Sequence, residues 1–237
     1  MKEKWLYYWN KHAELPSEIE VTGRRIPRQQ FAIIVDDVRT KLELEARDRV
    51  VDVGCGNGLI LSQIARTCSR AVGVDFSGKL AGTAEKQHKI SNMEYVRAEA
   101  TRLPFRDNRF DKGICYSVLH YLDVEAAREV VEELSRVCRP DALILLGDIP
   151  DRARMRKYTS FSKDLIECAY RYFAKVTGRS WYPGWTWFRA SELHGVIRRL
   201  GLTAEIRNQD RTLPYSHYRF DAIISNTKKT LREQSEG

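Results

Sequence analysis

The sequence predicts an α/β protein built on a doubly wound, largely parallel β-sheet. Short apolar runs alternate with helical patterns over residues 50–148, and this alternation is typical of such sheets. The first run leads directly into a glycine-rich turn at residues 54–58, and a helix follows at once. A second run, residues 71–75, ends in an acid that follows the first glycine by 21 positions. Together these observations predict a nucleotide-binding type of fold.

The residues before the sheet are predicted to form a helical cap over residues 1–45. An aromatic-rich helix is expected at residues 2–13, and a connector containing proline and glycine at 14–27. A second helix is expected from Arg28 to Leu42, because apolar residues recur there at helical spacing. Those residues are Phe31, Ile34, Val35 and Val38.

The turn after the first strand has the features of a ligand cradle. Glycines at 54, 56 and 58 allow unusual backbone angles and close approach of a ligand. The dinucleotide fingerprint needs a third glycine three residues after its second, and Leu59 occupies that position. Asp52 stands just before the turn, where an acid suits a cationic ligand better than a pyrophosphate. The alternative is a turn whose glycines serve only packing.

The second and third strands each end near an acid. Asp75 has the spacing of an acid that grips ribose hydroxyls, and its alternative role is to cap the helix that begins near Ser77 or Gly78. The run Met93–Arg97 alternates like a strand and leads to Glu99. For Glu99 the alternative is a solvated loop acid.

The stretch Val50–Gly58 resembles the first motif of the class I S-adenosylmethionine-dependent methyltransferases. The resemblance covers residues ~28–148 and is strongest to the methyltransferases of quinone biosynthesis. It implies S-adenosylmethionine as the cofactor. It also implies a Rossmann-like seven-stranded sheet of order 3-2-1-4-5-7-6 with strand 7 antiparallel.

By this resemblance, Glu99 accepts a hydrogen bond from the adenine amino group and the Ala100 amide reaches a ring nitrogen. The family usually has Asp where this chain has the longer Glu99. The predicted cofactor-binding residues are Asp52, Gly54, Gly56, Asn57, Gly58, Asp75, Phe76, Ser77, Glu99, Ala100, Cys115 and Tyr116. The alternative for Cys115 is an ordinary small core residue. The resemblance also suggests Gln30 and Arg24 as cofactor contacts.

Methyl transfer is a direct displacement, and an acceptor hydroxyl, nitrogen or carbon acid whose proton must be removed needs a general base. His120 follows the predicted fourth strand, His217 precedes the last strand, and Asp148 ends the fifth. These three are the predicted catalytic residues. A structural or solvent-exposed role remains the alternative for both histidines.

The rest of the chain continues the sheet around one insertion. A helix is expected at 126–137, a strand at 142–147, a helix at 189–200, and strands at 203–207 and 218–225. The whole is predicted to be one domain, with a cap at 1–45, a cofactor-binding core at 46–149, an insertion at 150–188, a final part of the sheet at 189–225 and a tail at 226–237.

The insertion is predicted to select the acceptor. Residues 160–176 read as an amphipathic helix, and residues 181–188 are rich in tryptophan. Aromatic faces suit sugars, rings or lipid tails, and a small satellite core beneath a loop is the alternative. The helix carrying Trp5 and Trp9 is expected to close the same mouth.

Composition fits a single enzyme domain of 237 residues with 43% hydrophobic residues. No apolar run approaches the ~20 residues of a membrane span, and the first residues lack the apolar stretch of a signal peptide. The five cysteines are scattered, so neither a disulfide framework nor a metal site is predicted. These features predict a cytoplasmic protein.

The net charge of +8 permits anionic partners. Its densest basic run, Arg152–Lys157, is interpreted as a solvated connector, with an anion site as the alternative. The predicted function is methylation of a small-molecule acceptor, with a hydroxyl of a sugar or secondary metabolite favoured. One alternative is an RNA or tRNA methyltransferase, although no base-methylation motif is found. The other is a non-catalytic cofactor-binding protein, although the glycine turn and its acids are intact. Oligomeric state is not predicted.

Overall fold

The computed structural model describes residues 2–24, 26–88, 90–159 and 184–225. The predicted helix at 160–176, the first part of the tryptophan-rich segment and the predicted tail at 226–237 lie outside these residues.

Seven strands form one sheet, in the predicted order 3-2-1-4-5-7-6. Strands β1 to β5 pair in parallel, whereas β7 runs antiparallel to β5 and β6. This confirms the doubly wound, Rossmann-like fold. The strands are β1 Arg49–Val53, β2 Arg70–Asp75, β3 Met93–Arg97, β4 Phe110–Tyr116, β5 Cys138–Pro150, β6 Thr203–Asn208 and β7 Arg219–Ser225.

Helices flank the sheet on both faces and also cover its ligand-binding edge. The α-helices of the described residues are α1 Lys2–His12, α2 Glu18–Val21, α3 Arg28–Leu42, α4 Leu59–Ile64, α5 Gly78–Gln87, α6 Val124–Val137, α7 Met155–Thr159 and α8 Ala190–Arg199. Short 3-10 turns span Ala65–Thr67, Leu119–Tyr121, Arg152–Arg154 and Ser216–Tyr218. Within the same residues, no helix is long and apolar enough to cross a bilayer.

The alternation of side chains along β1 divides the core into two layers. Val50 packs with α3 and α4 on one face of the sheet. Val51 and Val53 pack with α6 and α8 on the other. Successive strand residues point to opposite faces, so a strand buried on both faces reads as a continuous apolar run.

Three elements differ by more than one residue from the sequence prediction, because of long-range strand pairing or a helix cap. Strand β5 is longer than predicted, since its first residue pairs with Phe110 and its last residues pair with β7. Helix α6 begins two residues earlier than predicted, because the Asp123 side chain accepts a hydrogen bond from Ala126 N–H and caps it. The predicted connector 14–27 contains the short helix α2, whose N-cap is Ser17.

Helix α1 is anchored beside the carboxyl ends of the parallel strands. Ser77 Oγ donates a hydrogen bond to Asn10 Oδ1 at 2.7 Å, and Lys79 forms an ion pair with Glu14 just beyond the helix. Ser77 and Lys79, the residues that α1 and Glu14 contact, both lie at the start of α5. These contacts bring the aromatic face of α1 over the edge of the sheet where ligands bind in open α/β folds.

Candidate functional site

A cavity of about 360 Å³ opens at the carboxyl ends of β1, β2 and β4, beneath α1. Nine of the twelve predicted cofactor-binding residues line it. They are Asp52, Gly54, Gly56, Asn57, Asp75, Phe76, Glu99, Ala100 and Tyr116. The fold therefore brings residues from four separate strand ends and loops to one hollow.

The glycine turn is held between its two neighbouring strands. The amides of Gly54 and Cys55 both donate to the Val74 carbonyl, at 2.7 and 3.0 Å. Gly54 has a φ of 77°, a conformation that favours glycine. A Cβ at Gly54 would also lie 2.3 Å from Val118 Cγ2. Glycine is therefore required at this position by both backbone conformation and space.

Asp75 ties the tip of β2 to the glycine turn. Its Oδ2 accepts the Gly56 N–H at 3.0 Å and its Oδ1 accepts the Ser77 N–H at 2.8 Å. The helix cap is Ser77, whose Oγ accepts the Leu80 N–H, so Asp75 does not have the alternative role of cap. Its carboxylate is 5% exposed and faces the cavity with a fixed orientation.

Two buried carboxylates, Asp52 and Asp75, share this end of the cavity. Burial raises the pKa of Asp52 to about 7, and the nearby charge of Asp75 adds to the effect. Burial also raises the pKa of Asp75 to about 6, against the opposing effect of its two backbone hydrogen bonds. A positively charged ligand would stabilise both ionised forms. The chemistry of this pair therefore fits a cationic ligand, as the sequence suggested.

Asn57 presents a free acceptor near the same carboxylates. Its Nδ2 donates to the Glu18 carbonyl at 2.9 Å. Its Oδ1 is buried and has no hydrogen-bond partner among the described residues. An unsatisfied buried acceptor is rare, and a ligand hydroxyl or amine in the cavity would satisfy it.

Three predicted cofactor residues do not line the cavity. Gly58 is the N-cap of α4 with a φ of 71°, and Ser77 caps α5, so both act through the backbone around the site. Cys115 is fully buried in the core, and burial raises the pKa of its thiol. This placement favours the core alternative for Cys115.

His120 lies behind the cavity wall and is 1% exposed. Its ring packs against Tyr121 and Trp185, with centroids 4.0 and 4.9 Å away. Burial, with the charges of Arg219 and Arg24, holds the pKa of His120 well below its usual range. This environment favours a neutral, structural imidazole.

The other two predicted catalytic residues also lie outside the cavity lining. His217 belongs to the turn before β7 and packs beside Tyr218, with ring centroids 4.8 Å apart. Asp148 is 3% exposed, and its Oδ2 lies 2.6 Å from Arg24 Nη2 and 3.2 Å from Arg219 Nη1. Its carboxylate is thus engaged by two guanidinium groups.

Trp5 and Trp9, on the helix expected to close the mouth of the site, form an aromatic wall with Tyr121, which no sequence motif assigned to the site. Trp5 and Trp9 of α1 contact Tyr121, with ring centroids 4.5 and 5.4 Å apart, and all three line the cavity. The clustering of aromatics in the N-terminal helix was the available signal. Arg24 lines the cavity as well, whereas Gln30 is exposed on α3 and does not.

Among the described residues, no group of three or more His, Cys, Asp or Glu side chains is placed to hold a metal ion. Within the described part of the chain, Cys55, Cys68, Cys115 and Cys138 form no disulfide.

Comparison with known proteins identifies the central part of the chain. Residues 51–146 match the protein family described as "Methyltransferase domain". A 2-phytyl-1,4-naphtoquinone methyltransferase of Nostoc sp. is 30% identical over 129 residues, covering 50% of this chain and 55% of that protein. A tRNA (carboxymethyluridine(34)-5-O)-methyltransferase of Arabidopsis thaliana is 31% identical over 123 residues, covering 50% of this chain and 29% of that protein. The chain thus spans about half or less of these relatives' length.

The fold as a whole also has solved counterparts. The structure of the DhpI–SAH complex superposes with a TM-score of 0.65 at 16% identity, covering 94% of this chain and 95% of that one. At this level of identity the likeness concerns the fold. It extends beyond residues 51–146 to nearly the whole chain.

Proposed function

We propose that the chain binds S-adenosylmethionine and methylates a small-molecule acceptor, because residues 51–146 match a methyltransferase domain and form the centre of a Rossmann-like sheet. The observation that carries the proposal is the pair of buried carboxylates, Asp52 and Asp75, facing one cavity with the glycine turn between them. A pyrophosphate would be repelled by this pair, whereas a ligand with a sulfonium and an ammonium group would be attracted.

The residues present fit the cofactor. Asp75 is oriented by two backbone amides and keeps lone pairs for ribose hydroxyls. The Asn57 acceptor and the neighbouring Asp52 suit the cationic part. Glu99 and Ala100 line the far end and would hold the adenine. When bound, the cofactor supplies a methyl group on an excellent leaving group.

The chain itself has to align the acceptor and exclude water. The wall formed by Trp5, Trp9 and Tyr121 would shield the reacting atoms, since all three rings line the cavity. The three predicted bases lie outside the cavity lining. This supports a mechanism that works through alignment and desolvation, with His120, His217 and Asp148 in supporting positions.

The acceptor we propose is a hydroxyl group of a sugar or other secondary metabolite. A cavity walled by apolar and aromatic side chains, with a few convergent polar groups, suits a small organic molecule. Residues of α1 and of the loop after β4 belong to this lining, and they are the ones we propose to contact the acceptor.

Calorimetric titration with S-adenosylmethionine and, separately, S-adenosylhomocysteine tests the proposal. Low-micromolar binding of either is expected, and acceptors can then be screened by release of S-adenosylhomocysteine. A folded sample that binds neither compound would contradict the proposed function.

A nucleic-acid acceptor is the second candidate. The tRNA methyltransferase of Arabidopsis is among the relatives, and the net charge of +8 favours polyanions. Binding of tRNA that weakens steeply with salt and is lost on neutralising Arg152, Arg156 and Lys157 would favour this candidate. If the neutralised variant still binds tRNA, the binding is a nonspecific effect of the overall positive charge.

A further inference from the structure

Arg24 is the only positively charged side chain among the described residues that line the cavity. It is 6% exposed, and its guanidinium lies over the Tyr116 ring at 5.5 Å. The hydrogen bond from Nη2 to Asp148 is the only one its side chain makes within the described part of the chain. A guanidinium has five N–H donors, so most of them remain for a ligand.

The position of Arg24 is set from behind by a buried ionic network. Asp148 Oδ2 lies between Arg24 and Arg219, so one carboxylate balances two guanidinium groups. The Asp148 backbone is held at a φ of 61°, with its N–H donating to Asp221 Oδ1 at 2.7 Å. Asp221 is in turn paired with Lys41 of α3 at 2.5 Å. Asp148 and Arg219 are therefore positioning residues for Arg24.

The residues around Arg24 indicate which kind of molecule could bind to it. The buried acids Asp52 and Asp75 lie toward β1 and β2, whereas Asp148, the partner of Arg24, lies at the end of β5. The Tyr116 ring lies against Arg24, and Val21, Trp5, Trp9 and Tyr121 line the same cavity. This end thus joins one buried cation to an apolar, largely aromatic surface.

Resting on the proposed function, we propose that Arg24 makes the acceptor end of the cavity select an anionic molecule, namely a carboxylate on an aromatic or otherwise apolar body. The carboxylate lies on the free N–H groups of Arg24, and the apolar body lies against the aromatic wall. A planar guanidinium matches a carboxylate with two parallel hydrogen bonds. A carboxylate is also present in the cofactor, so the experiment must separate the two sources.

The experiment titrates 2-naphthoate and its uncharged counterpart 2-naphthylmethanol into the protein by calorimetry, with and without saturating S-adenosylhomocysteine. We expect 2-naphthoate to bind at least tenfold more tightly, a difference of about 1.4 kcal/mol, because its carboxylate can accept charge-assisted hydrogen bonds from Arg24. The preference should disappear in Arg24→Gln and persist in part in Arg24→Lys. Arg28→Gln is the control, since this arginine is 84% exposed and paired only at 3.7 Å with Glu18.

A second arm compares S-adenosylhomocysteine with 5′-methylthioadenosine, which lacks the amino-acid group. If Arg24→Gln weakens binding of the first compound alone, the carboxylate is that of the cofactor and the acceptor assignment is overturned. Equal affinity for the two naphthyl probes, no binding of 2-naphthoate, or a preference that survives Arg24→Gln also overturns it. The wild-type preference can be measured even if a variant does not fold. If the wild type does not bind S-adenosylhomocysteine, the proposed function is contradicted. The affinities for the two naphthyl probes can still be compared in that case.

Discussion

The Asp75 carboxylate accepts a hydrogen bond from the Gly56 amide at 3.0 Å, which joins the tip of β2 to the turn after β1. The same carboxylate accepts the Ser77 amide at 2.8 Å. One side chain thereby orients the turn, holds the N-cap residue of the neighbouring helix and lines the cavity. Its removal should affect the cofactor site more than the rest of the fold.

For Asp75→Ala we expect at least a tenfold loss of affinity for S-adenosylhomocysteine, because hydrogen bonds of a charged group each contribute roughly 1.5–3 kcal/mol. Calorimetry measures the affinity, and circular dichroism checks the fold. Asp141→Ala is the matched control, since that carboxylate is 79% exposed. Unchanged affinity in Asp75→Ala would contradict the ribose assignment.

Stability of the unliganded protein should fall as pH rises from about 4 to about 7. The pKa of Asp52 is raised to about 7 and that of Asp75 to about 6, above the ~4 of an unfolded chain. The folded protein therefore binds more protons than the unfolded chain across this window, and the free energy of unfolding decreases as these protons are lost. Urea denaturation at several pH values measures this contribution, which Asp52→Asn should diminish.

Binding of S-adenosylmethionine should release protons near neutral pH. A cationic ligand favours the ionised form of Asp52, so the proton held by the free protein leaves when the ligand binds. Calorimetry at about pH 6.5 in two buffers of different ionisation enthalpy measures the number released. Asp52→Asn should release fewer protons, and an equal release by both proteins would rule out Asp52 as the source.

Two glycines should respond to alanine in opposite directions. Gly54→Ala places a Cβ 2.3 Å from Val118 at a φ of 77°, so we expect a large loss of stability and of cofactor affinity. Gly82 lies within α5, and a Cβ there has no heavy atom within 4 Å. Gly82→Ala should therefore stabilise the protein by roughly 0.5–1 kcal/mol. Thermal unfolding of both variants checks the pair, and a stable Gly54→Ala protein would contradict the packing argument.

His120→Ala should lower stability more than it changes the pH dependence of turnover. The ring fills space between Tyr121 and Trp185, and loss of a large buried side chain removes about 2–4 kcal/mol. Since the pKa of His120 is held well below its usual range, the activity profile near neutral pH should be retained. If the variant loses an ionisation near neutral pH from its activity profile, His120 is instead the base.

Asp148→Asn should be strongly destabilising, by about 3–5 kcal/mol, because it leaves two buried guanidinium groups without their counterion. Adding Arg24→Gln should recover part of this loss, since one uncompensated charge is removed with it. Chemical denaturation of the single and double variants measures the coupling. Strictly additive losses would show that the pair is not energetically linked.

The sequence by itself determined the fold class, the strand order through the family resemblance, and the cofactor end of the cavity. These depend on local patterns, namely an apolar run, a glycine turn and an acid at a fixed spacing, which nearby backbone geometry converts directly into structure. Most of the residues predicted from such patterns line the cavity, and Asp75 lies at the tip of β2 as its spacing indicated.

Only the tertiary structure decided what surrounds Arg24 and the aromatic wall of the cavity. Arg24 meets Asp148 across 124 positions of the chain, and Trp5 meets Tyr121. Neither pairing has a local signature. His120 follows its strand as predicted, yet packing of distant residues such as Trp185 buries it behind the cavity wall. Burial and charge pairing arise from long-range packing, so the protonation and availability of these side chains could be read only from the folded chain.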